Sequence, residues 1–190
     1  METKSVMIVG VGGQGTLLAS RLLGNVLISR GYDVKVSEVH GMSQRGGSVV
    51  TYVKYGDRVS SPVVEHGEAD IIIAFELLEA ARYLPYLKKG GTIVVNTQQI
   101  DPMPVVTGAK QYPEALLSKL QGTELNIVDV DALALSLEAG NAKAVNVVLL
   151  GVAARFMSFD GSEWVKVIAD TVPPKFLEVN QKAFDLGYKT

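Results

Sequence analysis

A glycine-rich turn, Gly10-Val11-Gly12-Gly13-Gln14-Gly15, constrains the fold of this chain more than any other feature. It follows the apolar residues 6–9 and precedes a helix-like stretch over 16–30, which predicts strand, turn and helix in that order. Glycines permit a close approach of the backbone, and the first N–H groups of the helix favour a phosphate or carboxylate. We predict a phosphate or partner site at Gly12, Gly13, Gln14 and Gly15, with a purely structural turn as the alternative.

The composition predicts a globular protein of one domain, residues 1–190. The net charge of −2 gives no basic field for nucleic acid. The chain has no cysteine, so it cannot supply thiolates to a disulfide, a zinc site or an iron–sulfur cluster, and we predict no metal site. Residues 1–5 lead straight into a strand, and no apolar run approaches membrane-spanning length. These features predict a cytoplasmic protein without a membrane partner.

Strand-like and helix-like segments alternate along the sequence. Strands are predicted at 5–9, 33–39, 48–55, 58–64, 70–75, 92–96 and 125–130; helices are predicted at 16–30, 76–88, 113–120, 131–138, 141–157, 162–169 and 173–187. The pattern predicts an α/β fold, with a Rossmann-like, three-layer, mostly parallel sheet and helices on both faces. The pair 48–55 and 58–64 predicts a β-hairpin insert at a sheet edge. Residues 98–113 predict a crossing loop.

The chain departs from the simplest Rossmann plan after the second predicted strand. A crossover helix is expected there, but the residues are His40-Gly41-Met42-Ser43-Gln44-Arg45-Gly46-Gly47, which are too rich in glycine for a helix. Polar side chains among glycines predict an ordered loop that binds a ligand or a partner chain through His40, Ser43, Gln44, Arg45, Gly46 and Gly47. Arg45 suits a phosphate or carboxylate, the alternative being a contact that fixes its own loop through carbonyls or Glu38. No carboxylate or nucleophile accompanies His40, so hydrogen bonding is favoured over catalysis there.

Ligands of open parallel sheets bind beyond the carboxyl ends of the strands. This rule adds Glu38, Glu76 and Asn96 as candidate site residues. Glu38 lies at the distance from the glycine turn where dinucleotide folds place a ribose-binding acid, and a solvated strand-end carboxylate is the alternative. Glu76 fits either helix N-terminal electrostatics or site lining. Asn146 is expected to be a core amide with satisfied hydrogen bonds and not a ligand-binding residue, and Trp164, Phe176 and Phe184 are expected to serve in core or interface packing.

Several segments together resemble the gamma-type subunits of 2-oxoacid:ferredoxin oxidoreductases (the pyruvate/ketoisovalerate oxidoreductase gamma family), almost from end to end. They are the run 8–15, the loop 38–49, the apolar strand 70–75 and the closing stretch 173–184. The sequence His-Gly-Met-Ser-Gln-Arg-Gly-Gly is most similar to that of the small (beta) subunit of indolepyruvate:ferredoxin oxidoreductases. The pyruvate and 2-oxoglutarate relatives share mainly the Arg-Gly-Gly core.

The resemblance implies a subunit that is inactive alone and carries no catalytic residue of its own. The implied reaction converts an aryl pyruvate, coenzyme A and oxidised ferredoxin into an acyl-CoA, carbon dioxide and reduced ferredoxin. Thiamine diphosphate, magnesium and [4Fe-4S] clusters are then expected in a large partner subunit, in keeping with the lack of cysteine here. The glycine turn and the Arg45 loop are expected to form a wall of the coenzyme A channel, or, in a weaker version, only to dock the partner. The isolated chain is free to form a homodimer.

Two other functions remain open from the sequence. One is a stand-alone NAD(P)-dependent dehydrogenase that uses Glu38 on the ribose, although the chain lacks the helix after strand two and the Tyr-x-x-x-Lys pair of short-chain dehydrogenases. The other is a Rossmann-like scaffolding module that only binds another protein.

Overall fold

Within residues 2–40 and 47–190, which are those that the computed structural model describes, six strands form one mixed sheet in the order β2-β3-β1-β4-β5-β6. His40 is described by its backbone alone. The strands are β1 (Lys4–Val11), β2 (Asp33–His40), β3 (Ser48–Gly56), β4 (Ala69–Ala74), β5 (Leu87–Asn96) and β6 (Asn126–Val130). The pairs β1–β4, β4–β5 and β5–β6 are parallel, and β3 runs antiparallel to both β1 and β2.

Helices cover both faces of the sheet. They are α1 (Thr16–Ser29), α2 (Leu77–Tyr83), α3 (Met103–Val106), α4 (Leu116–Gln121), α5 (Ala132–Ala139), α6 (Val145–Ala154), α7 (Gly161–Thr171) and α8 (Leu177–Lys189), with short 3-10 turns at Leu84–Tyr86, Ala142–Ala144 and Pro174–Phe176. The predicted α/β class and the three-layer arrangement are confirmed. Every residue of α6 is buried, as expected for a core helix.

The central strands are buried on both faces, and this accounts for their continuous apolar sequences. Successive strand residues point to opposite faces, so Val6 and Ile8 of β1 join the core under α1, α6 and α8. Met7 and Val9 of the same strand join the core under α2 and α4. Parallel strands covered by helices on both sides lose the alternation of polar and apolar residues.

The position of β3 corrects two expectations. The sequence predicts a hairpin of 48–55 with 58–64 at a sheet edge, but residues 58–64 form no strand, and β3 lies inside the sheet between β1 and β2. The hairpin is formed instead by β2 and β3, and β2 is the edge strand. Pro62 lacks the N–H that a strand ladder requires, whereas β3 buries apolar side chains such as Val53 on the sheet.

The start of β5 corrects the predicted helix over 76–88. Helix α2 ends at Tyr83, a 3-10 turn containing Pro85 follows, and β5 already begins at Leu87. Proline removes a helical hydrogen bond and disfavours helical backbone in the preceding residue, so the helix ends early. The predicted crossing loop over 98–113 contains the short helix α3.

Candidate functional site

The glycine turn connects β1 to α1 at the carboxyl edge of the sheet. Gly13 and Gly15 have φ values of +93° and +81°, a region that residues with a Cβ rarely adopt. Gly15 is the N-cap of α1, and no side chain of the described residues caps that helix end. The Gly12 N–H donates to the Gly47 carbonyl oxygen at 3.1 Å. The turn predicted from sequence therefore lies directly against the end of the 40–47 loop.

Gln14 fastens the glycine turn to the neighbouring strand. Its Oε1 accepts a hydrogen bond from the Val11 N–H at 2.8 Å, and its Nε2 donates to the Phe75 carbonyl oxygen at 3.0 Å. A Cβ on Gly10 would lie 2.7 Å from Gln14 Oε1, so the first glycine of the motif leaves space for this side chain. Gln14 thus fills the space between the ends of β1 and β4, and its amide oxygen and amide nitrogen are both hydrogen-bonded within the chain.

Two buried asparagines complete the same edge. Asn96 is fully buried; its Nδ2 donates to the Phe75 carbonyl oxygen at 3.2 Å, and its Oδ1 accepts from the Ala132 N–H at 3.2 Å. Asn146 donates from Nδ2 to the Gly15 carbonyl oxygen at 3.1 Å. Asn146 is buried and hydrogen-bonded, as expected of a core amide, and Asn96 joins the ends of β4 and β5 to the start of α5.

Glu76 is 1% exposed and serves as the N-cap of α2. Its Oε2 accepts from the N–H groups of Leu78 and Glu79 at 2.7 and 3.0 Å. Its Oε1 accepts from the Ile100 N–H at 3.1 Å and from the Tyr112 hydroxyl. Burial, together with the hydrogen bond to the Glu76 carboxylate, raises the pKa of the Tyr112 phenol. Glu76 therefore holds both the helix end and the crossing segment 98–113.

Glu38 does not occupy the position of a ribose-binding acid. That role needs the second strand beside β1, but β3 lies between β1 and β2, so β2 is about 10 Å from β1 instead of about 5 Å. Its Oε2 accepts a hydrogen bond from Thr51 Oγ1 at 3.0 Å on the facing strand β3. This geometry does not support the hypothesis of a stand-alone dehydrogenase that binds a ribose through Glu38.

The loop predicted to bind a ligand or partner lies mostly outside the described residues. Ser43, Gln44, Arg45 and Gly46 fall there, and so does the side chain of His40. Ser48 directly follows this loop, and its Oγ donates a hydrogen bond to Glu79 Oε2 at 2.5 Å. Glu79 is 3% exposed and also accepts from Arg82 Nε at 3.1 Å. A buried carboxylate of α2 therefore anchors the chain where this loop ends, a role that sequence reasoning missed.

An open cleft of about 400 Å³ lies beside the glycine turn. Gly13, Gln14 and Gly15 form one side; the remainder is lined by Gln98, Leu133, Ala142, Lys143 and Val145. A second cleft of about 290 Å³ adjoins it and shares Lys143. Lys143, at the start of the helical region 142–154, was not among the sequence candidates. The sequence feature that could have indicated Lys143 is its position two residues after Asn141, the N-cap of this helical region.

The fold and this cleft define an α/β protein with a Rossmann-like glycine turn and a hairpin in place of the second crossover. Residues 5–190 match the family described as pyruvate ferredoxin/flavodoxin oxidoreductase, and the chain belongs to that family. The expected resemblance to gamma-type subunits is confirmed.

The relatives agree with the family assignment. The chain is 46% identical to the indolepyruvate oxidoreductase subunit IorB of Pyrococcus horikoshii, over 100% of this chain and 96% of the relative. The gamma subunit of a keto/oxoacid ferredoxin oxidoreductase from Geobacter sulfurreducens has a TM-score of 0.73 at 22% identity, covering 98% of this chain and 96% of that chain. A 2-oxoglutarate:ferredoxin oxidoreductase from Magnetococcus marinus, solved with 2-oxoglutarate, coenzyme A and succinyl-CoA bound, has a TM-score of 0.74 at 16% identity, covering 100% of this chain and 31% of that longer chain. At these identities the two structures show the shared fold alone.

The described residues lack two further features, a cluster of metal ligands and a membrane-spanning helix. No group of three or more His, Asp or Glu side chains in that part of the chain is arranged to hold a metal ion. Among the helices of the described residues, none has the length and apolar composition of a membrane-spanning segment.

Proposed function

We propose that this chain is the small subunit of a thiamine-dependent 2-oxoacid:ferredoxin oxidoreductase that acts on indolepyruvate or another aryl pyruvate. The observation that carries the proposal is the 46% identity, along the entire chain, to a protein named as an indolepyruvate oxidoreductase subunit. The reaction is the oxidative decarboxylation of the 2-oxoacid to an acyl-CoA, with electrons passed to ferredoxin. The setting is the cytoplasm.

The reactive groups belong to a large partner subunit in this proposal. Thiamine diphosphate with magnesium supplies the decarboxylation chemistry there, and [4Fe-4S] clusters carry the electrons. The present chain has no cysteine to ligate such clusters. It is therefore inactive alone and contributes a binding surface to the complex.

The surface that we assign to coenzyme A is the cleft beside the glycine turn. The backbone at Gly12, Gly13 and Gly15 can approach a phosphate closely, at the positive end of a 14-residue helix. Lys143 adds a positive charge across the cleft. Arg45 is proposed to add a guanidinium from the adjoining loop, whose last residue, Gly47, is hydrogen-bonded to the turn. The coenzyme A bound in the Magnetococcus enzyme makes the same ligand a reasonable one to test here.

The function is tested by co-expressing the chain with its large subunit. The purified complex is expected to reduce ferredoxin with indolepyruvate and coenzyme A, and each subunit alone is expected to be inactive. Turnover of a 2-oxoacid by the isolated chain, without iron and thiamine, would contradict the proposal. If the chain does not co-purify with a large, cluster-bearing subunit, the subunit role is excluded and the scaffolding-module hypothesis is favoured.

The role of the loop is tested with Arg45→Ala in the assembled complex. Loss of a charge-assisted contact to phosphate is expected to raise the KM for coenzyme A by about tenfold, with assembly unchanged. If KM and kcat are both unchanged in a complete complex, the loop has no role in coenzyme A binding. Impaired assembly with normal coenzyme A affinity would show that the loop docks the partner.

A further inference from the structure

A pocket at the opposite end of the sheet carries features that the proposed function does not use. It has a volume of about 340 Å³ and lies at the amino ends of β1, β4 and β5. Lys4, the first residue of β1, lines it, and the glycine turn begins after Val11 at the far end of that strand. Seven strand steps place the two sites about 23 Å apart. A ligand in this pocket is therefore separate from one in the cleft.

A large bulge in β5 forms one wall of the pocket. Leu87 pairs with Ala69 of β4 and Thr92 pairs with Ile71, so four residues of β5, Lys88–Gly91 by number, lie opposite one residue of β4. Gly90 has a φ of +81°, and a Cβ on Gly91 would lie 2.9 Å from the Ala69 and Asp70 carbonyl oxygens. Bulges of this kind redirect side chains at sheet edges and sites. Here the bulge places two consecutive lysines on the pocket wall.

Within the described part of the chain, two ammonium groups of the pocket, those of Lys4 and Lys89, have no acidic partner. Among the described residues that line the pocket, Asp70 contributes the one carboxylate; it accepts from Lys88 Nζ at 3.2 Å and from the Ser5 N–H at 2.9 Å. No ion pair among the described residues involves Lys4 or Lys89. Nearby Glu68 is bound by Lys54 at 2.9 Å. The lining therefore has a net positive charge.

A buried tyrosine supplies a further polar group. Tyr55 lines the pocket and is 4% exposed, and its hydroxyl has no hydrogen-bond partner among the residues that the structure describes. Its ring is fixed by aromatic contacts to Tyr32 and Phe159. Burial raises the pKa of this phenol, so the hydroxyl stays protonated and able to donate. The hydroxyl oxygen itself reaches solvent in the pocket, so a bound ligand can replace the water that it contacts.

We propose that Tyr55, Lys4 and the Lys88–Lys89 bulge form a binding site for a small oxyanion, a carboxylate or a phosphate. The Tyr55 hydroxyl donates to the ligand oxygen, and Lys4 and Lys89 neutralise its charge. Lys88 keeps the Asp70 carboxylate from repelling the ligand. The proposal concerns this chain alone and does not depend on coenzyme A or on the partner subunit.

Isothermal titration of the full chain with inorganic phosphate, and separately with propionate, tests the site. Saturable binding of either anion is expected, and it should persist in Lys143→Ala, which removes the lysine of the cleft beside the glycine turn. The anion that binds more tightly identifies the ligand class. Lys89→Ala removes a charged contact and is expected to weaken anion binding about tenfold. Tyr55→Phe removes the hydroxyl donor and is expected to weaken binding by a similar factor. The matched control is Lys166→Ala, an exposed lysine of α7, which is expected to bind as the unmodified chain does.

Two results would overturn the proposal. One is the absence of saturable binding of both anions, and the other is equal binding by Lys89→Ala and the unmodified chain. Tyr55→Phe alters a buried position, so its thermal unfolding is followed by circular dichroism. The exposed Lys89 variant gives a decisive answer even if the tyrosine variant unfolds.

Discussion

Gln14 donates from Nε2 to the carbonyl oxygen of Phe75 at 3.0 Å and thereby joins the glycine turn after β1 to the end of β4. Asn96 donates to the same carbonyl oxygen from the end of β5, at 3.2 Å. The connections after β1 and β4 leave toward opposite faces of the sheet, which in open α/β sheets opens a crevice for ligands. Side-chain amides occupy part of that crevice here, and the open cleft lies between the turn and residues of α5 and of the helical region 142–154.

The Gln14 bridge predicts a specific effect of Gln14→Glu. The carboxylate can still accept from Val11, but it places an oxygen against the Phe75 carbonyl oxygen in place of a donor. We expect the free energy of unfolding to fall by about 1–3 kcal/mol, measured by urea denaturation. The control is Gln99→Glu at an exposed position, where no change is expected. Equal stabilities of the two variants would contradict a structural role for Gln14.

Gly15→Ala and Gly24→Ala are expected to have opposite effects. Gly15 has a φ of +81°, and a Cβ there would lie 2.7 Å from Asn146 Nδ2, so alanine strains the backbone and displaces that hydrogen bond. We expect a loss of about 2–4 kcal/mol. Gly24 lies within α1 and a Cβ there meets nothing within 4 Å, so alanine should stabilise by about 1 kcal/mol. Thermal unfolding of both variants is the measurement, and destabilisation by Gly24→Ala would refute the assigned packing.

Tyr112→Phe tests the hydrogen bond to Glu76 through its dependence on pH. At pH 8 the variant should lose about 1.5–3 kcal/mol, because the carboxylate loses a donor. The folded state raises the pKa of Tyr112, so its contribution is complete below the unfolded value near 10 and declines as pH rises above it. The difference between the two proteins should therefore shrink as the pH rises from 10 to 11. Denaturation at several pH values provides the comparison, and a difference independent of pH would exclude this linkage.

Lys143→Ala tests the cleft in the assembled enzyme. If the cleft receives a phosphate of coenzyme A, loss of the ammonium group should raise the KM for coenzyme A by about fivefold to tenfold and leave kcat unchanged. Lys166→Ala, remote on α7, is the control. An unchanged KM would place coenzyme A elsewhere, whereas a fall in kcat alone would indicate an effect on the partner subunit.

The glycine motif, the apolar strands and the helix caps could be predicted from local sequence. Asp131 caps α5 and Asn141 begins the next helical region, because a short polar side chain before an apolar run satisfies free N–H groups locally. The bulge at Lys88–Lys89 could not be predicted in this way. Basic residues followed by two glycines are equally typical of a helix end, and pairing with β4 makes the difference.

The sequence alone determined the class of fold, the strand–turn–helix unit around Gly12 and Gly15, and a resemblance that the comparisons confirm, because each depends on local patterns of glycine, polar and apolar residues. Only the tertiary structure decided that β3 lies between β1 and β2, that Glu76 and Glu79 are buried anchors, and that Lys143 faces the glycine turn. Each of these facts is a contact between segments far apart in the chain. Such contacts depend on how whole elements pack together, which no local pattern encodes.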